Sequence, residues 1–183
     1  MPTINDANGT PAEVNSEGKL RTYSVVEHEA LHANEKESAN YSIVFEADPN
    51  GTDQDFFYLK NNSDKYMVIY KIRMATATAD IDVDIKLGCT GTPTSGTAIV
   101  PGNMKAGSGA AADVTCEYRD EDLALTGGTV VDTLYIDKDF LGTQEFNYEG
   151  GIILPQNQTM VFNNVGVDPT SDIFCVIFFY FHD

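Results

Sequence analysis

Basic side chains are scarce in this sequence. Its 183 residues include 11 Lys and Arg against 28 Asp and Glu, a formal net charge of −17. Such a surface repels phosphate backbones, so direct nucleic-acid binding is not expected. Adsorption to anionic membranes is disfavoured for the same reason. The charge is typical of a well-solvated exterior.

Cysteines and long apolar runs are also few. Cys89, Cys116 and Cys175 are widely spaced and odd in number, so no disulfide framework or redox pair is indicated. We expect buried or free thiols in a protein made in a reducing compartment. The longest apolar run, Ile173 to Phe181, is too short for a membrane-spanning helix. The opening MPTINDANGT lacks the basic and apolar regions of a signal peptide, and a soluble protein is expected.

The domain organisation follows from turn residues and short β-rich runs. Residues 1–19 are polar and without periodicity, which predicts a flexible N-terminal arm. Residues 20–183 are expected to form a single domain. The pattern predicts an all-β fold, an antiparallel β-sandwich of jelly-roll-like type. Strands are expected at 41–46, on both sides of an NNSD turn within 55–74, and at 79–88, 97–100, 113–119, 129–137, 150–155, 158–167 and 172–183.

Two of these runs carry particular information. In 79–88, Asp80, Asp82 and Asp84 alternate with apolar residues, which predicts a half-buried strand with a solvated acidic face. Binding of cations or of a basic partner is the alternative use of that row. The closing run DIFCVIFFYFHD is apolar on both faces. We expect it to lie centrally in the sandwich, or to have one face covered by a neighbouring subunit.

The sharpest enzymatic signal is the string His28-Glu29-Ala30-Leu31-His32, which matches the H-E-x-x-H pattern of zinc peptidases. On a helix, His28 and His32 could bind one Zn²⁺, and Glu29 could polarise the bound water. A catalytic site needs a third protein ligand. The extension found in one large class has Gly and His at the positions of Glu35 and Ser38, and a strand-like run follows the string at once. We therefore expect no metal site here.

A second candidate is the turn DPNGTDQD, where Asp48, Asn50, Asp53 and Asp55 offer oxygen ligands suited to Ca²⁺. The order is not that of an EF-hand, since no Glu closes the loop. Pro49 and the Asn50-Gly51 pair explain the segment as a tight turn. The acidic run 118–128 is expected to be exposed loop. The sequence contains no nucleophile elbow or phosphate-binding loop, and no catalytic residue or cofactor is predicted.

The order of segments resembles a known class of proteins. It runs from a polar arm through FFYLKNNSDKYMVIYKI and a Gly/Thr-rich middle to GGIILPQNQTMVF and a hydrophobic closing strand. This is similar to small β-sandwich virion proteins of tailed bacteriophages, including head decoration and auxiliary capsid proteins. The phrases YLKNN (58–62) and IILPQNQT (152–159) carry the resemblance.

The resemblance implies a virion structural protein without an active site, made in the host cytoplasm and carried on the particle. It implies a homo-oligomer, commonly a homotrimer, in contact with a major capsid protein or another virion protein. Two alternatives remain: a small zinc-dependent peptidase using His28, Glu29 and His32, and a calcium- or carbohydrate-binding module using Asp48, Asp53 and Asp55. The resemblance does not distinguish head, tail and fibre.

Overall fold

A computed structural model of the chain describes residues 29–37, 39–165 and 172–182, without the side chains at 29, 36, 149 and 150. The predicted arm at 1–19 and the first histidine of the zinc string, His28, lie outside these residues. In the described part, no helix is long and apolar enough to cross a membrane.

The described residues form eleven strands and one short helical segment. The helix α1 (Glu29–His32) continues directly as a π-helix (Ala33–Glu37). The strands are β1 (Asn40–Ala47), β2 (Gln54–Asn61), β3 (Tyr66–Thr76), β4 (Ile81–Thr90), β5 (Thr97–Ala98), β6 (Gly102–Asn103), β7 (Val114–Tyr118), β8 (Thr126–Ile136), β9 (Gln144–Leu154), β10 (Thr159–Asn164) and β11 (Ile173–His182).

The strands make two antiparallel sheets, with the orders β6-β1-β11-β3-β9 and β5-β7-β2-β10-β4-β8. Strand β1 pairs with β11, β2 with β10, β3 with β9 and β4 with β8. Each early strand thus pairs with a late one, and the pairs are nested along the chain, with β4 and β8 as the innermost pair. Successive pairs alternate between the two sheets. This is the jelly-roll arrangement, with β5, β6 and β7 inserted in the connection between β4 and β8. The predicted all-β, jelly-roll-like sandwich is confirmed.

The core lies between the sheets and is built by side chains that alternate inward along each strand. Strand β11 contributes Ile173, Cys175, Ile177, Phe179 and Phe181, all buried. Stacked and tilted aromatic pairs join the layers, including Phe45 on Phe57 with ring centroids 4.7 Å apart. Such pairs add to the free energy of burial because ring edges and faces attract.

Several strand boundaries differ from those expected. The run expected at 150–155 is the second half of β9, which begins at Gln144. The expected strand at 97–100 is only Thr97–Ala98, and Gly102–Asn103 is an additional short strand. The strand expected at 79–88 is β4, which begins at Ile81 and continues to Thr90. The NNSD turn between β2 and β3 is confirmed, but the hairpin that this pattern indicates is wrong, because the two strands lie in different sheets and do not pair.

Candidate functional site

Residues 29–32 of the zinc string form α1, above the five-stranded sheet. His32 ends the four-residue α1 and is exposed. The next residue, Ala33, is buried against Val68 and Tyr180 on the outside of the sheet. Among the described residues, no three His, Cys, Asp or Glu side chains are grouped to hold a metal ion.

The three aspartates of the candidate calcium turn form hydrogen bonds with different parts of the sandwich. Asp48 donates its backbone N–H to Asp120 Oδ1 at 2.8 Å. Asp53 adopts a positive φ of 57° and donates its N–H to the carbonyl of Asn164. Asp55 is only 6% exposed, and its Oδ1 accepts from Lys86 Nζ at 3.3 Å and Asn163 Nδ2 at 2.9 Å. The segment is the predicted turn, and its three aspartates do not converge.

A shallow acidic cleft lies where the β1–β2 and β7–β8 connections meet. It holds about 510 Å³ and is lined by Asp48, Asn50, Thr97, Tyr118, Arg119, Asp120 and Glu121. An adjoining depression of about 270 Å³ adds Glu46 and Asp172. Desolvation first, then the charges of Asp172 and Asp120, raise the pKa of Asp48. The guanidinium of Arg119 is already bonded to Glu121 and to the carbonyl of Thr94.

Two aspartates of the row along β4 accept hydrogen bonds from β8 and from the loop that follows it. Asp80 accepts from the Tyr135 hydroxyl and from the Lys138 N–H, each at 3.0 Å. These bonds, the Lys138 N–H first, lower the pKa of Asp80. Asp84 accepts from Thr133 Oγ1 at 2.6 Å. The row lies on the exterior of the sheet, as predicted, and two of its members anchor β8 and the loop after it.

The three cysteines are free and buried, which confirms that part of the prediction. Burial raises the pKa of each thiol, so little thiolate forms near neutral pH. None of them is placed as an activated nucleophile. The reducing compartment stays a prediction.

One surface of the sandwich combines exposure with apolar character. The outward side chains of β1, β11 and β3 form a patch that we call the outer face: Val44, Tyr70, Phe174, Val176 and Phe178. Val44 is 64% exposed and Phe174 is 42% exposed. Tyr70 contacts both Phe178 and Tyr180 through its ring. Strand β11 thus lies centrally, as expected, and its outward side is still partly exposed.

Two cations on the outer face form ion pairs with a carboxylate of β9. Glu145 on β9 pairs with Lys71 Nζ at 3.0 Å and with Arg73 Nη2 at 2.7 Å. The Arg73 guanidinium also lies 5.4 Å from the ring centre of Phe178. Bonds from Lys71 and then Arg73 lower the pKa of Glu145 to about 2. Glu46 lies at the lower end of the face, beside the acidic depression that Asp48 and Asp172 also line.

No family model matches the chain. Neither the curated proteins nor the solved structures that were compared with it give a match. Nothing in these comparisons links the chain to phage virion proteins, so that resemblance stays a prediction. The functional argument rests on the surfaces described above.

Proposed function

We propose that the chain is a non-enzymatic structural protein of a tailed-phage particle, decorating or cementing the capsid as a homo-oligomer, with a homotrimer expected. The observation that carries the proposal is the exposed apolar outer face on a chain of net charge −17. Contiguous exposed apolar surface is typical of contacts between proteins. The proposal includes assembly in the host cytoplasm and a final location in the virion.

The fold supports the same proposal by analogy. Jelly rolls recur in viral capsid proteins, and also in lectins and cupins, so the fold raises the expectation without deciding the function. The acidic exterior suits the outside of a capsid better than a lumen filled with DNA.

Particle association tests this function directly. Phage particles from cells that carry this coding sequence are banded on a density gradient, and their proteins are identified by mass spectrometry. We expect the chain to band with the particles and to stay with them after a high-salt wash. Recovery of the chain only in the soluble lysate would overturn the proposal.

The zinc content of the purified chain distinguishes the zinc-peptidase function from the structural function. The full chain is purified without chelator or affinity metal and dialysed, and its zinc content is measured. We expect far less than one zinc per chain, in wild type and in Glu29→Gln alike. One tightly held zinc, together with peptide cleavage that Glu29→Gln abolishes, would replace the structural function with the enzymatic one.

A further inference from the structure

A buried lysine, aspartate and asparagine meet on the side of the six-stranded sheet that faces away from the core. Asp55 Oδ1 accepts from Lys86 Nζ at 3.3 Å and from Asn163 Nδ2 at 2.9 Å, so one carboxylate oxygen contacts both the amine and the amide. We propose that Lys86 and Asn163 become joined by an amide bond between Nζ and Cγ, with release of ammonia. The bond would link β4 to β10 covalently within one chain, and it does not depend on the proposed function.

The sheet register brings these three side chains together. Asn163 lies on β10, between β2 and β4. Its register partner on β2 is Asp55, because a β-bulge there leaves Phe56 as the extra residue. On β4, Lys86 pairs with Val161, two residues before Asn163. Side chains on such a diagonal lie on the same side of a sheet, and a long side chain reaches across the gap.

The three groups are shielded from water. The side chains of Asp55 and Lys86 are 9% and 19% exposed, and Asn163 is 1% exposed. The connection between β7 and β8 covers the site, since the N–H of the fully buried Leu123 donates to the Asp55 carbonyl at 2.8 Å. An ion pair in such surroundings has lost much of its hydration, which costs free energy. The exclusion of water also protects the amide from hydrolysis.

The Asn163 amide is held through its nitrogen. Among the described residues, its buried Oδ1 has no hydrogen-bond partner. Buried oxygens without a partner are uncommon, and a reactive group is one reason for them. No bond on this oxygen opposes the rotation that brings Cγ to the amine. Groups fixed so close together react with effective molarities as high as about 10⁸ M, which offsets the low reactivity of an amide.

Asp55 carries out the proton transfers that the reaction needs. It takes a proton from the Lys86 ammonium, which leaves a neutral amine with a free electron pair. That pair attacks Asn163 Cγ, and a C–N bond forms to Nζ. The bond from Cγ to Nδ2 breaks as Asp55 passes its proton to the leaving nitrogen, and Asp55 also carries across the proton that Nζ then loses. The products are a secondary amide and one ammonium ion, Asp55 is again a carboxylate, and nothing is oxidised or reduced.

The same three chemical groups also meet at an exposed place. Glu145 Oε1 lies 3.0 Å from Lys71 Nζ and accepts from Asn147 Nδ2 at 3.4 Å. Glu145 and Asn147 are exposed, so water solvates this carboxylate and competes for the amide. We expect no covalent bond there, and these three residues are the internal control.

The mass of the intact chain tests the proposal, after the folded protein has been held at neutral pH for several days. We expect wild type to be about 17 Da lighter than its sequence, because one ammonia is lost. Lys86→Arg keeps the positive charge beside Asp55 but has no amine, and it should have the full mass. Asp55→Asn should have the full mass as well, whereas Lys71→Arg should be as light as wild type. Circular dichroism checks the fold of each variant.

Tandem mass spectrometry after trypsin digestion locates the bond, because the peptides that contain Lys86 and Asn163 are then recovered as one branched species. A cyclic imide at Asn50-Gly51 would remove the same mass from the chain. It would persist in Lys86→Arg and would join no peptides, so the two products are distinguished.

Wild type without joined peptides would overturn the proposal, and this result needs no variant to fold. A bond between Lys71 and Asn147 in place of the buried one would overturn it too, because burial would then not select the site. A bond that still forms in Asp55→Asn would overturn the proton transfers assigned to Asp55.

Discussion

At the residue scale, Asn61 is the polar side chain on which the β2–β3 turn depends. It is fully buried. Its Nδ2 donates to the carbonyls of Lys65 and Leu154, each at 2.8 Å, and its Oδ1 accepts from the Ser63 N–H at 3.0 Å. These bonds hold the turn and tie it to the end of β9 in the opposite sheet. They satisfy polar groups that burial would otherwise leave unpaired.

We expect Asn61→Ala to lower the free energy of unfolding by about 3 kcal/mol, because one buried and one partly buried carbonyl lose their donor. The neighbouring Asn62→Ala removes one partly exposed bond, to Thr115 Oγ1, and should cost about 1 kcal/mol or less. Urea denaturation of both variants measures the difference. Equal losses would mean that the tie to β9 does not stabilise the sandwich.

Substitutions at two adjacent glycines near the start of β8 would distinguish the cost of backbone strain from the cost of steric crowding. Gly127 and Gly128 both have positive φ, 72° and 87°. A Cβ on Gly127 meets nothing within 4 Å, whereas one on Gly128 overlaps Cys89 Sγ and lies 3.3 Å from the Leu87 carbonyl oxygen. Gly127→Ala should cost about 1–2 kcal/mol from strain alone. Gly128→Ala should cost about 1–3 kcal/mol more, measured by thermal or urea unfolding, and equal costs would argue against crowding.

At the element scale, Glu145 connects the edge strand β9 to β3 through Lys71 and Arg73. Because these partners lower its folded pKa from 4.5 to about 2, its contribution to stability is present above pH 4.5 and is lost as pH falls towards 2. We therefore expect Glu145→Gln to be less stable than wild type at pH 6, with the difference disappearing near pH 2. Urea midpoints across this range measure it. A difference that does not change with pH would mean that the charge of Glu145 does not act on stability.

Strands β4 and β9 show why some strand predictions from the sequence were correct and others were not. The alternation around Ile81, Val83 and Ile85 is a local signal, and it gave the correct inward face of β4. The first half of β9, QEFNYE, was missed because its polar residues and the Gly150-Gly151 pair indicate a turn. The strand continues through both glycines because the β3–β9 register shifts between Ile69 and Lys71, which leaves extra residues on β9.

The candidate surfaces depended on contacts that the sequence does not encode locally. Asp48 and Asp120 are 72 residues apart and meet only because β1 and β7 end on the same side of the sandwich. Asp55, one of the predicted calcium ligands, is instead turned to Lys86 and Asn163. The outer face was partly foreseeable, since the closing run is apolar on both sides. The ion pairs of Glu145 were not, because they depend on which residues of β3 and β9 lie opposite one another.

At the scale of the whole molecule, repulsion among the negative charges destabilises the folded state, and three aspartates lie close together at the acidic cleft. Asp48 lies near Asp120 and Asp172, and its folded pKa is raised by desolvation and by those two charges. A raised folded pKa means that ionisation of Asp48 destabilises the folded protein. The penalty is absent at low pH and develops as pH rises through the folded pKa.

We therefore expect Asp48→Asn to raise the melting temperature at pH 7 and low salt, with the gain shrinking in high salt and below about pH 4. Asp64→Asn is the matched control, since Asp64 is an exposed aspartate in the β2–β3 turn. It removes the same charge away from the cleft and should give a smaller gain, because the crowding of Asp48, Asp120 and Asp172 stays in place. Differential scanning calorimetry of both variants at two salt concentrations measures the effect. Equal gains would mean that the total charge, and not its crowding around Asp48, limits stability.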